Sequence, residues 1–330
     1  MKTIGTYRII FLGWFGIFML AGCAPRKLPT HLDQQAHKTY WKPTKYRQGW
    51  WYATGMFTDT TGKEYFHQFT IFHARRPLVK AFASHQSLSN PMDNNHRFSE
   101  HVYIENKLSG SNDSMIWAGA DTITQTNTGY RLISHPPGKK VVVTLTIEKP
   151  LVLHGQQGII SMGHSSKKKE HSVYFSHTRL SATGHVITPF DTLKITGTYW
   201  FDRQFGPFTE LYWYWYSLRM NDGTEQMMFY FPGTGEQLYE EIDRDGRCEV
   251  VPSSISVADS TENQQEFFPM THRIISRKDT LWITPKSSYH FNSNRIGPLY
   301  WEGPCTVLSS DADTIGHAVI ELTGKRKPIR

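Results

Sequence analysis

The segment from Leu211 to Phe231 limits the fold more than any other part of the chain. Leu211-Tyr212-Trp213-Tyr214-Trp215-Tyr216-Ser217-Leu218 is followed by the turn residues Asn221-Asp222-Gly223 and then by Gln226-Met227-Met228-Phe229-Tyr230-Phe231. An extended strand sends successive side chains to opposite faces. Trp213 and Trp215 therefore project to one side, and Tyr212, Tyr214 and Tyr216 to the other. A strand with one wet face alternates apolar with polar residues, and this one does not. Both of its faces need cover. Either the strand is sandwiched between two layers, or one of its faces lines a cavity. The Asn/Asp-Gly pair supplies the positive φ of a tight hairpin and predicts that the two runs pair antiparallel.

The rest of the chain has the same character. Runs with period two, broken by turn residues, occur at Trp50–Phe57, Tyr65–His73, Val141–Ile147, Val173–Leu180, Leu193–Phe201, Tyr300–Leu308 and Ala318–Thr323. Helical candidates are few: Gln237–Asp243 is expected to form a turn or two. Many short strands at close spacing, with 14% aromatic residues, predict an all-β protein built as a sandwich or barrel.

The N-terminus reads as an address rather than as fold. Lys2 and Arg8 precede an uncharged run, Ile9 to Ala21. At ~1.5 Å per residue that run spans about 20 Å, short of the ~30 Å hydrocarbon core. It ends in Leu20-Ala21-Gly22-Cys23, which resembles a bacterial lipobox cleaved before Cys23. Cys23 is then the lipidated residue, and residues 24–45, with no apolar period, read as a spacer from the membrane. Ala24 does not resemble an inner-membrane retention signal, so the expected location is the cell envelope, facing the periplasm, on the outer membrane. Removing residues 1–22 takes away two of the 36 basic residues and no acidic ones, leaving 34 Lys and Arg against 29 Asp and Glu, a net +5. The basic groups are dispersed apart from Lys167-Lys168-Lys169 and the tail 325–330, and neither cluster carries a nucleic-acid motif. No nucleic-acid partner is expected. After Cys23 only Cys248 and Cys305 remain; an oxidising periplasm would permit their pairing, and spacing does not decide it.

Several motifs in order resemble the carotenoid 1,2-hydratase (hydroxyneurosporene synthase) family and its broader AttH-like relatives. The opening Gly49-Trp50-Trp51-Tyr52-Ala53-Thr54-Gly55 and Tyr65-Phe66-His67-Gln68-Phe69-Thr70-Ile71-Phe72 is similar to that family's first two strands. Lys149-Pro150-Leu151-Val152-Leu153-His154-Gly155 and Tyr174-Phe175-Ser176-His177-Thr178-Arg179-Leu180 resemble its middle runs. Ile195 through Gly206 lies on its V-x-G-x-x-W-M-D-H-E-W-G signature, and Trp213-Tyr214-Trp215-Tyr216-Ser217-Leu218 on W-D-W-F-S-L. Asp222-Gly223-Thr224-Glu225, Tyr300-Trp301-Glu302-Gly303 and Ile320-Glu321-Leu322-Thr323-Gly324 complete the set. The resemblance covers residues 46–324. It implies two tandem lipocalin-like antiparallel β domains, 46–206 and 207–330, with the boundary after Gly206 where Pro207 breaks the chain. The chain departs from the pattern at Arg203, Gln204 and Phe205, which replace His, Glu and Trp. Tyr214 stands where Asp is common. Asp202 is thus the sole acid of the signature.

The resemblance implies hydratase or isomerase-type chemistry on a bulky hydrophobic small molecule, a polyene or related lipid. Hydrating an alkene needs an acid strong enough to protonate carbon and a surface that stabilises the cation. A carboxyl group kept protonated by an apolar pocket does the first. Aromatic faces do the second, at ~2 kcal/mol or more each when desolvated. Asp202 is the candidate acid, and Trp200, Trp213, Tyr214 and Trp215 are the candidate ligand-binding surface. Two bland alternatives stand beside this reading: Asp202 pairs with Arg203 or another arginine, and the Trp/Tyr strand is a core wedge. Glu302 and Glu321 are expected to make buried charge pairs with arginines at the barrel mouth.

No cofactor and no metal are expected. Of the 16 histidines, His67 and His73 share a strand face about 20 Å apart at ~3.3 Å per residue, too far to ligate one ion. His96 and His101 lie with Asp93 and Glu100 in a loop-like stretch, and His177 reads as a partnered strand residue. No Gly-x-Ser-x-Gly elbow occurs, and Pro232-Gly233-Thr234-Gly235-Glu236 lacks the Lys-Ser/Thr of a phosphate loop. The competing class is a non-catalytic carrier, or an accessory lipoprotein of a membrane transporter. A purely structural envelope lipoprotein is the third.

Overall fold

Strands carry almost all of the regular structure in the computed structural model, which describes residues 27–91, 96–165, 168–263, 266–292 and 297–324. The leader, Cys23, Asp93, Lys167 and the basic tail 325–330 lie outside the described residues. No described helix is long and apolar enough to cross a membrane.

Strands from Gln48 to Gly206 form one antiparallel sheet, and those from Tyr214 to Thr323 form another, except the separate pair Ser260–Asn263 and Glu266–Pro269. The first curls into a nearly closed barrel and the second into a half barrel, which together are two lipocalin-like domains. In the first, Gln48–Asp59 lies between Glu64–Arg75 and Thr192–Gly206, and Lys168–Ile187 continues the sheet beyond the latter. In the second, Tyr214–Met220 lies between Glu225–Phe231 and Thr314–Thr323, with Tyr300–Leu308 next to Thr314–Thr323. The predicted hairpin is present: Gly223 has φ +87°, and Asp222 Oδ1 accepts the Thr224 N–H at 2.9 Å.

Period two assigns each face. Trp51, Ala53 and Phe57 fill the first barrel with Phe69, Ile71 and Leu132. Tyr214, Tyr216 and Leu218 fill the second with Ile274, Trp301 and Ile320. The alternate residues of the same strands, Trp50, Tyr52, Trp213 and Trp215, form a third cluster on the outer faces. The barrels thus pack back to back, and the two-sided strand is covered by its own barrel core on one face and by the neighbouring barrel on the other.

Two sequence expectations change. Residues 27–45 are not a free spacer. Around the short helix Ala36–Thr39, Leu32, Ala36 and Trp41 are buried. The Trp41 ring stacks on Tyr130 at 6.0 Å, its backbone carbonyl accepts the Trp51 indole N–H at 2.9 Å, and Gln34 exchanges two hydrogen bonds with the Leu151 backbone. Isolated apolar residues in an irregular segment leave no periodic trace, so the docking was invisible in the pattern. The stretch expected as a helical turn at Gln237–Asp243 is the strand Glu236–Ile242, paired with Glu225–Phe231. Its alternation was hidden because Glu240, on the buried face with Leu238 and Ile242, is polar. Cys248 and Cys305, whose pairing the spacing left open, are both free thiols.

Candidate active site

Two cross-strand rows face each other between the barrels. On the first barrel, register places Ser176, Asp202, Tyr52, Thr70 and His85 side by side on the outer face. On the second, it places Phe229, Trp215, Glu321 and Glu302 side by side. Tyr52 joins the rows by donating its hydroxyl to Glu302 Oε1 at 2.8 Å. Between them is a cavity of about 220 Å³. Its wall is aromatic: Trp50 stacks on Trp213 at 6.0 Å, and Phe72, Trp215 and Phe229 continue the surface. Its polar end holds Asp202, Glu302 and Glu321, while Arg47, Gln48 and Arg76 line the partly exposed rim.

Among the described residues, no arginine or lysine pairs with Asp202. Its Oδ1 accepts hydrogen bonds from Ser176 Oγ and Trp200 Nε1, and its Oδ2 accepts one from the Tyr174 hydroxyl at 3.1 Å. Burial pushes its carboxyl up to about 6, against the lowering effect of those hydrogen bonds and of His154. The expected partner, Arg203, projects to the opposite face. Its guanidinium lies 4.1 Å from the Trp51 ring centroid and 4.8 Å from that of Phe205, and it donates to the carbonyls of Tyr40, Lys42, Trp50 and Gln204. Adjacent residues of a strand point apart, so an Asp202–Arg203 pair was geometrically unavailable.

Glu302 and Glu321 overturn the expectation of arginine pairing. They are direct cross-strand partners, and Arg179 and Lys149 from the first barrel both pair with Glu225 instead. Glu321 accepts the Trp213 indole N–H at 2.9 Å. Burial, with a contribution from Asp202, pushes its carboxyl up to about 7. Burial and the neighbouring Glu321 hold Glu302 well above the usual carboxylate range, and its Oε2 has no hydrogen-bond partner. Burial and the closeness of the carboxyl groups both favour their protonated forms. The sequence reading missed this pair as acids. The signal was present in the two glutamates on strands otherwise apolar on both faces, but only the register brings them together.

The other sequence candidates separate cleanly. Trp213 and Trp215 line the cavity. Trp200 lies just behind it, its ring 6.1 Å from Trp215 and its N–H on Asp202. Tyr214 faces the interior of the second barrel, away from the cavity. His67 is bonded to Tyr199 and Ser134 inside the first barrel, and His177 to Tyr130. His96 bonds Asn292 at 2.7 Å, His101 is exposed, and Glu100 meets His85 at 3.1 Å. These groups do not converge. Among the described residues, His154, Glu240 and Cys248 offer donor atoms within 4.8 Å of one another. The imidazole Nδ1 and both Glu240 oxygens are already engaged in hydrogen bonds, so the cluster is not assigned as a metal centre.

The AttH-like family profile matches residues 31–325. Among solved structures, a protein from Nitrosomonas europaea described as a candidate AttH superposes with a TM-score of 0.81 at 21% identity, covering 91% of this chain and 99% of that one. Kievitone hydratase from Nectria haematococca superposes with a TM-score of 0.67 at 13% identity, covering 84% of this chain and 89% of that one. At these identities the likeness is one of fold. No curated protein sequence matches.

Proposed function

The chain belongs to the AttH-like family, and on that premise we propose that the cavity between its barrels binds a hydrophobic, alkene-bearing small molecule and adds water to it, or isomerises it, by acid catalysis. One observation carries the reading: three buried carboxyl groups, none paired with an arginine or lysine among the described residues, line one aromatic cavity. Burying carboxyl groups costs several kcal/mol unless they keep their protons. A binding protein for an apolar molecule has no use for that expense.

In this reading Asp202 delivers its proton to an alkene carbon. An apolar ligand strips water from the carboxyl and raises its proton affinity further. The cation that forms lies against Trp213 and Trp215, whose faces stabilise it by ~2 kcal/mol or more each. Water attacks the cation, and Glu321 orients that water and takes up its proton. A cavity of about 220 Å³ holds the reacting segment of a long ligand, with the remainder passing the Arg47–Arg76 rim. Tethering through Cys23 would hold the protein at a membrane in which such a ligand dissolves.

Asp202→Asn should abolish turnover of linear isoprenoid alkenes while native mass spectrometry still detects them bound. Binding without turnover in the wild type as well would favour the carrier, or the accessory lipoprotein of a transporter. Unchanged turnover in the variant would overturn the assignment of the acid.

A further inference from the structure

Behind the cavity, Asp202 joins an unbroken line of buried hydrogen bonds that crosses into the second barrel. Ser176 is its cross-strand neighbour and donates to Oδ1. His154 Nε2 lies 2.8 Å from the same Ser176 oxygen, and His154 Nδ1 lies 2.6 Å from Glu240 Oε2. Glu240 comes from the strand Glu236–Ile242 of the second barrel, and its Oε1 accepts the Gly155 N–H at 2.7 Å. Asp202, Ser176, His154 and Glu240 are all at most 3% exposed. The imidazole is clamped against the Tyr174 ring at 4.2 Å, so it cannot turn away.

A serine hydroxyl has one proton, and that limits the line to two arrangements when Asp202 and His154 hold one labile proton between them. In the first, Asp202 is ionised and accepts from Ser176, while an imidazolium donates to both Ser176 and Glu240. In the second, Asp202 is a carboxylic acid that donates to Ser176, Ser176 donates to His154 Nε2, and the neutral imidazole keeps its Nδ1–H on Glu240. The two contain the same atoms and the same charge. They interconvert by moving two protons, each along one hydrogen bond, and the His154–Glu240 hydrogen bond is the same in both.

We propose that Glu240, His154 and Ser176 form a proton relay that shares one proton with Asp202, so that an apolar ligand entering the cavity loads the acid from within the protein rather than from solvent; the catalytic use of that proton rests on the function proposed above. Dehydrating Asp202 disfavours its carboxylate and draws the shared proton forward. The proton then passes to the alkene carbon, and the proton that Glu321 takes from the attacking water restores the one that Asp202 gave up. Ser176, His154 and Glu240 touch no ligand; they are positioning residues. The other groups facing Asp202 are the Tyr174 hydroxyl, the Trp200 indole, Tyr52 and, across the cavity, Glu321; Cys248 and Trp200 flank the His154–Glu240 end.

The test needs no ligand. In protein labelled with ¹⁵N-histidine, the His154 ring is titrated by NMR while the Asp202 carboxyl band is followed by infrared spectroscopy. Sites in one relay titrate as a unit. Asp202→Asn and Ser176→Ala should each lower the His154 midpoint by at least about one pH unit, tenfold in proton affinity, and Ser176→Thr, which keeps the hydroxyl, should restore it. A His154 midpoint indifferent to Ser176→Ala overturns the relay. That result leaves the acid role of Asp202 to its own turnover test, and a coupled titration in a protein without turnover leaves the relay standing while the reaction falls.

Discussion

Asp202 lies in the most legible stretch of the sequence, and its chemistry was only half legible there. Its residue type and aromatic neighbours identified a candidate acid. Its partners were set by cross-strand register, which places Ser176 and Tyr52 on either side of it, and no local pattern encodes that. The same register put Glu302 opposite Glu321 and so replaced an expected pair of salt bridges with a pair of acids. A consequence follows for stability. A carboxyl whose folded value is raised binds more protons folded than unfolded, so its contribution is present at low pH and is lost as pH rises through the folded value. For Asp202 the window runs from about 4 to about 6. The stability of Asp202→Asn relative to wild type should therefore grow from pH 4 to pH 7, by on the order of 3 kcal/mol. Urea denaturation at the two pH values measures it. A difference that stays constant with pH would mean that the fold does not hold the Asp202 carboxyl above its unfolded value.

Among the elements, those with a clear period were foreseen and those without one were not. The Trp/Tyr strand was read as two-faced, and its tryptophans and tyrosines do part to opposite sides. The segment 27–45 was read as a spacer because Leu32, Ala36 and Trp41 follow no repeat. They are nonetheless integral to the first barrel, where Trp41 also lies 6.2 Å from Trp51 at a steep angle. Truncating a buried tryptophan costs about 3 kcal/mol or more. Trp41→Ala should lower the unfolding free energy by that amount. A tethering spacer would instead tolerate the change with no shift in the denaturation midpoint.

At the scale of the molecule, the ordered motifs foretold two tandem β domains, but not how they meet. Their outer faces form the site, and each barrel contributes half of it: Asp202, Tyr52 and Trp50 from one, Glu302, Glu321, Trp213 and Trp215 from the other. Neither barrel alone encloses the cavity. Catalysis in this arrangement demands that a proton pass from Asp202 to carbon, and isotopic labelling reads that step directly. Linear isoprenoid alkenes incubated with the wild-type protein in D₂O should yield products carrying one carbon-bound deuterium by mass spectrometry, and the Asp202→Asn protein should yield none. Equal deuterium incorporation by the two proteins, or none by the wild type across the series, would contradict the account.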